Sequence, residues 1–220
     1  MARLRLGVLV SGSGTNLQAI LDAAARGAID AEVVLVISNV ADAFALERAA
    51  RAGVPTRVVK HRDYPDRAAF DVRLVEELTL AGVSHVVLAG FMRVLTGTFI
   101  EAFPFRIVNI HPALLPAFPG IHGQRQALDY GVKIAGCTVH FVDAGTDTGP
   151  VIAQAAVPVF DDDTEESLGA RILEQEHRLL VEVLGALADE RVEVVLPAGG
   201  RRPRVTMRGA SGRPQGRPRV

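Results

Sequence analysis

Cysteine is nearly absent: Cys137 stands alone among 220 residues, so no disulfide can form within the chain. That usage fits a reducing compartment. Long apolar runs are missing too, and nothing approaches the roughly 18 residues of a membrane span. The opening MARLRLGVLVSGSG begins like a secretory signal. Its apolar stretch after Arg5 is only LGVLV, however, short of the about 7–15 residues of a signal core. The expectation is a cytoplasmic protein whose first strand starts near Leu4. None of the six histidines pairs as HxxxH or HExxH, and there is no second cysteine, so no metal site is expected. The acidic run Asp161–Asp163 would suit a hard cation, but a helix N-terminus explains it more simply. No internal repeat and no nucleophile elbow are found.

What is present is 49% hydrophobic and 22% charged, ordinary for a globular chain. The net charge of −1 hides an asymmetry. Residues 198–220 hold seven arginines and no acid; taking them from the 24 basic residues leaves 17 against 25 acids, or −8 for the body. We therefore expect one domain over residues 1–197 and an Arg/Gly/Pro-rich tail over 198–220. A basic tail can contact nucleic acid. No aromatic residue is interleaved for base stacking, so a solvated tail without such a partner is the preferred reading.

Apolar, β-rich runs recur at Leu4–Val10, Val33–Ser38, Thr56–Lys60, His85–Gly90 and Arg106–Ile110, with helical periodicity between most of them. Leu17, Ile20, Leu21 and Ala24 mark one helix that Gly27 would stop. Phe70, Leu74 and Leu78 mark another. Alternating strands and helices predict an α/β fold: a Rossmann-like, open, mainly parallel twisted sheet with helices on both faces. Ile134–Val142 and Val151–Val159 have no helix between them and are expected to pair antiparallel. Asp163 with Glu166 reads as a capping box opening a long helix that carries Leu168, Ile172, Leu179 and Val183 on one face. Val192–Leu196 would be the last strand.

Two stretches carry chemistry. VLVSGSGTNLQAIL is strand, glycine turn and helix, and such a turn presents N–H groups to an anion. It is neither a P-loop, since no GK[ST] follows, nor a full dinucleotide fingerprint, since the third glycine is missing. A tight turn in which Thr15 or Asn16 caps the helix is the simpler alternative. The second stretch is VNIHPALLPAFPG, residues 108–120. Alternation along a strand points Asn109 and His111 to one face and Ile110 to the other. They lie at the carboxyl end of a strand, the edge where open α/β sheets bind ligands. Asp147 lies in a glycine-rich loop where a carboxylate can approach a histidine and favour its protonated form. Asn109 can donate an N–H to a developing oxyanion. The three together suit acyl transfer with a nucleophile supplied by a substrate. Taken singly, each has an ordinary structural explanation. His140 lies in the alternation Thr138–His140–Val142, and Cys137 has no base beside it.

These motifs resemble the folate-dependent phosphoribosylglycinamide formyltransferase family. The stretches SGSGTNLQAI, SNVADAFALERA, VVLAGFMRVL, NIHPALLPAFPG, GQRQAL and VHFVDAGTDTGPVIAQ occur in order from about residue 5 to 180. The resemblance implies a fold and a set of roles. Asn109, His111 and Asp147 match the catalytic residues. Gly14, Thr15, Asn16 and Glu176 match the phosphorylated acceptor's site. Arg67, Met92, Arg93, Val94, Leu95, Asp143, Ala144, Gly145, Thr146 and again Asn109 and Asp147 match the folate site. The co-substrate would be 10-formyltetrahydrofolate, the acceptor phosphoribosylglycinamide, with no metal; the assembly would be a monomer or homodimer with no membrane partner. A cis Leu115–Pro116 bond is implied as well. Ala113 and Ala117 depart from the Ser and the basic residue frequent in the family, and position 174 is acidic, so no basic phosphate contact is carried over there. Methionyl-tRNA formyltransferase and formyltetrahydrofolate hydrolase share the NIHP-like core. The first usually adds a basic C-terminal domain and the second an N-terminal regulatory one, for which 23 tail residues and a first strand at residue 4 leave little room. A non-catalytic nucleotide- or RNA-binding module would leave Asn109, His111 and Asp147 without a common purpose.

Overall fold

The computed structural model describes residues 3–199 and 202–209. Seven strands form one sheet: β1 (Leu4–Val10), β2 (Ala31–Ser38), β3 (Thr56–Val58), β4 (His85–Leu88), β5 (Ile107–His111), β6 (Ile134–Phe141) and β7 (Val151–Pro158). Their order is β3-β2-β1-β4-β5-β6-β7. The pairs from β3 to β5 are parallel, and β6 and β7 are added antiparallel, as expected for two strands joined by a loop.

Side-chain alternation splits the apolar residues into two cores. Leu6, Val8 and Val10 of β1 join Val87, Val108 and Ile110 beneath α1 (Thr15–Ala25), α2 (Phe44–Arg51), α5 (Gly123–Tyr130) and α6 (Glu165–Ala188). Leu9, Ile37, Val86, Leu88 and Ile107 face the other way, beneath α3 (Arg67–Leu80) and α4 (Gly97–Ala102). Ile110 therefore lies in the first core while Asn109 and His111 share the face of Ile107. Covering both faces explains why the parallel strands read as nearly continuous apolar runs.

Two local expectations need correction. Neither Thr15 nor Asn16 caps α1: the N-cap is Gly14, left-handed at φ 72°, with no side-chain cap. A side chain there would also be crowded out, because a Cβ would fall 2.5 Å from Ala45 Cβ. The capping box of α6 is Thr164 with Ser167, one residue later than the Asp163–Glu166 reading. Asp163 is otherwise engaged, accepting from Arg171 twice at 2.8 Å and from the Phe160 N–H. Within the segment read as a tail, Arg204–Met207 forms β9 and pairs antiparallel with β8 (Val192–Val195). Val192, Val194, Val205 and Met207 pack against the first core. Alternation of Val205 and Met207 with Arg204 and Thr206 was the available signal, masked by the surrounding arginines and prolines. Residues 200, 201 and 210–220 of that segment lie outside the described residues.

Candidate active site

The chain order reverses between β1 and β4, where β1 runs on to β2 and β3 on one side and β4 and β5 lie on the other. Such a switch point leaves a crevice at the strands' carboxyl ends. A cavity of about 550 Å³ opens there. Among its lining are Met92, Arg93, Val94 and Leu95 after β4, Asn109 and His111 from β5, and Asp143, Gly145, Thr146 and Asp147 from the β6–β7 loop. That volume lies within the roughly 300–1,000 Å³ of small-ligand sites. Its apolar rim is exposed: Met92 is 66% accessible and Ile121 70%.

His111 is nearly buried, at 4% accessibility. Its Nε2 lies 2.9 Å from the Phe118 carbonyl, which can only accept, so Nε2 carries a proton. Nδ1 faces Asp147 Oδ2 at 3.4 Å. The two ring nitrogens thus face two acceptors, a carbonyl and a carboxylate. Asp147 is held by the Gly120 N–H, which donates to Oδ2 at 2.7 Å. The prolines after His111 thus have a role the sequence only hinted at: loop 112–120 returns Phe118 O to the histidine and Gly120 N to its carboxylate. The loop contains the cis Leu115–Pro116 bond. Thr138 and Gln154 pin it to the sheet through Leu115 N and Leu115 O.

His140, opposite Asn109 in the β5–β6 register, completes the arrangement. Its Nδ1 donates to the Phe141 carbonyl at 2.8 Å, and Asn109 Nδ2 lies 3.1 Å from its Nε2. Asp147 Oδ1 is 3.7 Å from the same Nε2. Burial nevertheless holds the His140 pKa below the ordinary imidazole value, outweighing the bond to Phe141 O and the nearby Asp147 charge. We therefore read His140 as neutral and its proximity to Asp147 as no ion pair. Neutral Nε2 accepts one Asn109 N–H, which orients the amide and leaves its second N–H for a ligand. Next to His140 the β6–β7 register skips Ile152, a bulge that redirects the chain leading from the Asp147 loop. Gly149 lets that loop close, since a Cβ would sit 1.8 Å from Phe141 O.

Not every expected residue meets the cavity. Ala144 is an exposed loop residue outside the lining, and Asp143 lines it while its carboxylate staples the loop to Gly145 N and Thr148 Oγ1. Arg67 opens α3, exposed and outside the lining, although its charge, like that of Arg93, acts on Asp71. Ala113 and Ala117 line a separate apolar cavity of about 420 Å³. Gly14, Thr15, Asn16 and Glu176 form a second cluster. Asn16 Nδ2 donates to Glu176 Oε2 at 2.9 Å, and burial raises the Glu176 pKa despite that bond and the nearby His111. Asn16 Oδ1 is buried without a partner among the described residues.

Sequence reasoning missed the supports of the segment that follows β4. Ser11 Oγ accepts from Met92 N at 2.9 Å, and buried Asp71 accepts from Thr96 N and Oγ1 at 2.6 and 2.7 Å. Residues 92–96 are thus fastened at both ends. Asp71 at the spacing of Phe70 and Leu74 was the one visible signal, a charge beside a buried helix face. Burial pushes the Cys137 thiol up to about 12, which keeps it a protonated core residue. Among the described residues no cluster of three or more His, Cys, Asp or Glu is arranged to hold a metal, and no helix is long and apolar enough to cross a membrane.

With this geometry in place, comparison with known proteins decides the family. The formyl transferase family model matches residues 4–184. The phosphoribosylglycinamide formyltransferase of Mycobacterium tuberculosis is 50% identical over 194 residues, 88% of this chain and 89% of that one. The chain belongs to the phosphoribosylglycinamide formyltransferase family. The crystal structure of glycinamide ribonucleotide transformylase 1 from Symbiobacterium toebii superposes with a TM-score of 0.87 at 55% identity, covering 93% of this chain and 94% of that one. The chain is also 51% identical over 189 residues to the trifunctional purine biosynthetic protein adenosine-3 of Drosophila pseudoobscura pseudoobscura, but spans only 14% of that protein's length.

Proposed function

We infer that this formyltransferase moves the formyl group of 10-formyltetrahydrofolate to the amine of phosphoribosylglycinamide, giving formylglycinamide ribonucleotide and tetrahydrofolate, a step of purine biosynthesis. The observation that carries the reading is the convergence of Asn109, His111 and Asp147 on one folate-sized cavity, in a chain of this family.

The folate lies against the apolar segment 92–95 and the 143–147 loop, with Arg93 and Arg67 toward its glutamate carboxylates. The acceptor's phosphate meets the N–H groups following Gly14, and Glu176 with Asn16 holds its ribose-glycinamide part. The amine attacks the formyl carbon, and the C=O electrons move to oxygen. The free Asn109 N–H and the His111 imidazolium stabilise that oxyanion. Asp147 keeps the imidazolium charged and oriented. The proton lost by the amine nitrogen is returned to N10 of the folate as the C–N10 bond breaks, leaving the new amide and neutral tetrahydrofolate. No metal takes part in this scheme. All the groups named lie within residues 1–197 of one chain, so either a monomer or a homodimer suffices. We place the activity in the cytoplasm, where its charged, phosphorylated acceptor is retained.

The test is direct assay of the purified protein with 10-formyltetrahydrofolate and phosphoribosylglycinamide, with methionyl-tRNA and water as comparison acceptors. Formyl transfer to the ribonucleotide alone is expected. Preferential transfer to methionyl-tRNA or to water would refute the acceptor assignment.

A further inference from the structure

The acceptor's phosphate is a dianion, yet position 174, where a basic contact was sought, is Glu. The fold brings a cation from another element. Arg48 of α2 lies over the glycine turn: Nε donates to Ser13 O at 2.8 Å and Nη1 to Gln18 Oε1 at 3.2 Å. The Phe44 ring supports the guanidinium at 4.9 Å. Nη2 makes no hydrogen bond among the described residues, so its donors remain available on a group already fixed in orientation.

Two further observations point to a ligand at this end of the molecule. Among the described residues, Asn16 at the first turn of α1 is about nine-tenths buried with Oδ1 unpartnered, and His177 Nε2 is buried without a partner. Asn16 Oδ1 can only accept, so it suits a hydroxyl or amine of the acceptor, while a protonated His177 Nε2 suits an oxyanion. An unmet buried polar atom is costly, and a missing ligand or water is one of its explanations. His177 and Arg48 also line, together with Thr15 and Arg178, a cavity of about 650 Å³ over α1. It reaches the glycine turn at Thr15 and is separate from the folate-side cavity.

We propose that Arg48 is the cationic contact for the acceptor's phosphate, with His177 as a second donor, so that specificity for a phosphorylated acceptor is set by α2 and α6 as well as by the turn. This rests on the acceptor assignment above. It gives Arg48 two roles at once: bracing Ser13 O, which orients the N–H groups that follow, and supplying charge that backbone amides lack. A guanidinium fixed by two bonds and a ring is well suited to an oxyanion.

The experiment compares phosphoribosylglycinamide with its dephosphorylated riboside as acceptors for the wild type, Arg48→Gln and Arg48→Lys. Arg48→Gln is expected to raise KM for the phosphorylated acceptor roughly 10- to 100-fold. Efficiency with the riboside, which lacks the group being read, should fall far less, and Arg48→Lys should recover part of the discrimination. Equal weakening of both acceptors overturns the proposal; a loss that arises only through bracing of the turn is separated by the protection experiment below, in which Arg48 would then stay unshielded. Should Arg48→Gln not fold, the wild type answers by itself. Inorganic phosphate should compete with the ribonucleotide and shield Arg48 from an arginine-directed dicarbonyl reagent, read by mass spectrometry; an unshielded Arg48 overturns the proposal. Wild-type protein that transfers nothing to the ribonucleotide would instead remove the acceptor assignment itself.

Discussion

Asp147→Asn removes one charge from the site and almost no volume. The carboxylate it replaces stands 3.4 Å from His111 Nδ1 and is 12% accessible. At an effective dielectric of about 20, opposite charges at that distance attract by roughly 5 kcal/mol. The remaining accessibility and the amide dipole that replaces the charge reduce the loss, and hydrogen bonds to charged groups are generally worth about 1.5–3 kcal/mol. A loss of about 2–4 kcal/mol of transition-state stabilisation corresponds to a kcat lower by roughly 30- to 1,000-fold. The amide oxygen can still accept from Gly120 N, so the loop stays in place and KM for both substrates should move less than about threefold. Steady-state kinetics with each substrate varied in turn, alongside thermal melting, separates the two effects. A kcat within about fivefold of wild type, or a change confined to KM, would refute the charge argument.

Other outcomes follow from the same coordinates. His111→Ala removes the side chain proposed to stabilise the oxyanion with Asn109, and kcat should fall about 10²–10⁴-fold with both substrates still binding; single-turnover assays and equilibrium binding check it. Gly14→Ala forces a Cβ into Ala45 and a left-handed angle on alanine. Denaturant unfolding should show a loss of about 2–5 kcal/mol, and surviving protein should have a raised KM for the ribonucleotide. Burial raises the Glu176 pKa above its ordinary 4.5. The folded state then holds a proton that the unfolded state has released, so this group's contribution to stability falls as pH rises from about 4.5 through the folded value. Glu176→Gln, whose amide oxygen can still accept from Asn16, should lose that fall; unfolding curves at successive pH values with unchanged slope would contradict the burial argument.

Local pattern carried much of this protein. Period-two and period-3.6 alternation placed most of the sheet strands and the three longest helices, because burying one face of an element leaves a periodic trace. It also set Asn109 and His111 on one face and Ile110 on the other, as the two cores confirm. The short helices α2, α4 and α5 left weak traces, and β9 was hidden among arginines and prolines. The composition of the glycine turn was visible, but its cap was not: whether Thr15 caps or Gly14 turns left-handed depends on Ala45, distant in sequence, filling the space a side chain would need.

The contacts that tune the site belong to the tertiary structure alone. Phe118 O, Gly120 N and Phe141 O are backbone groups that any sequence possesses, and only the folded path brings them to His111, Asp147 and His140. The charge states follow from the same packing: burial keeps His140 neutral and raises Glu176, and desolvation is a property of the surroundings rather than of the residue. No local pattern marks Arg48; only the packing of α2 against the glycine turn sets its guanidinium on Ser13 O. By itself the sequence determined which chemical groups were on hand; which of them face one another, and in what protonation state, was decided by the fold, because proximity and dielectric are not written in any local stretch of chain.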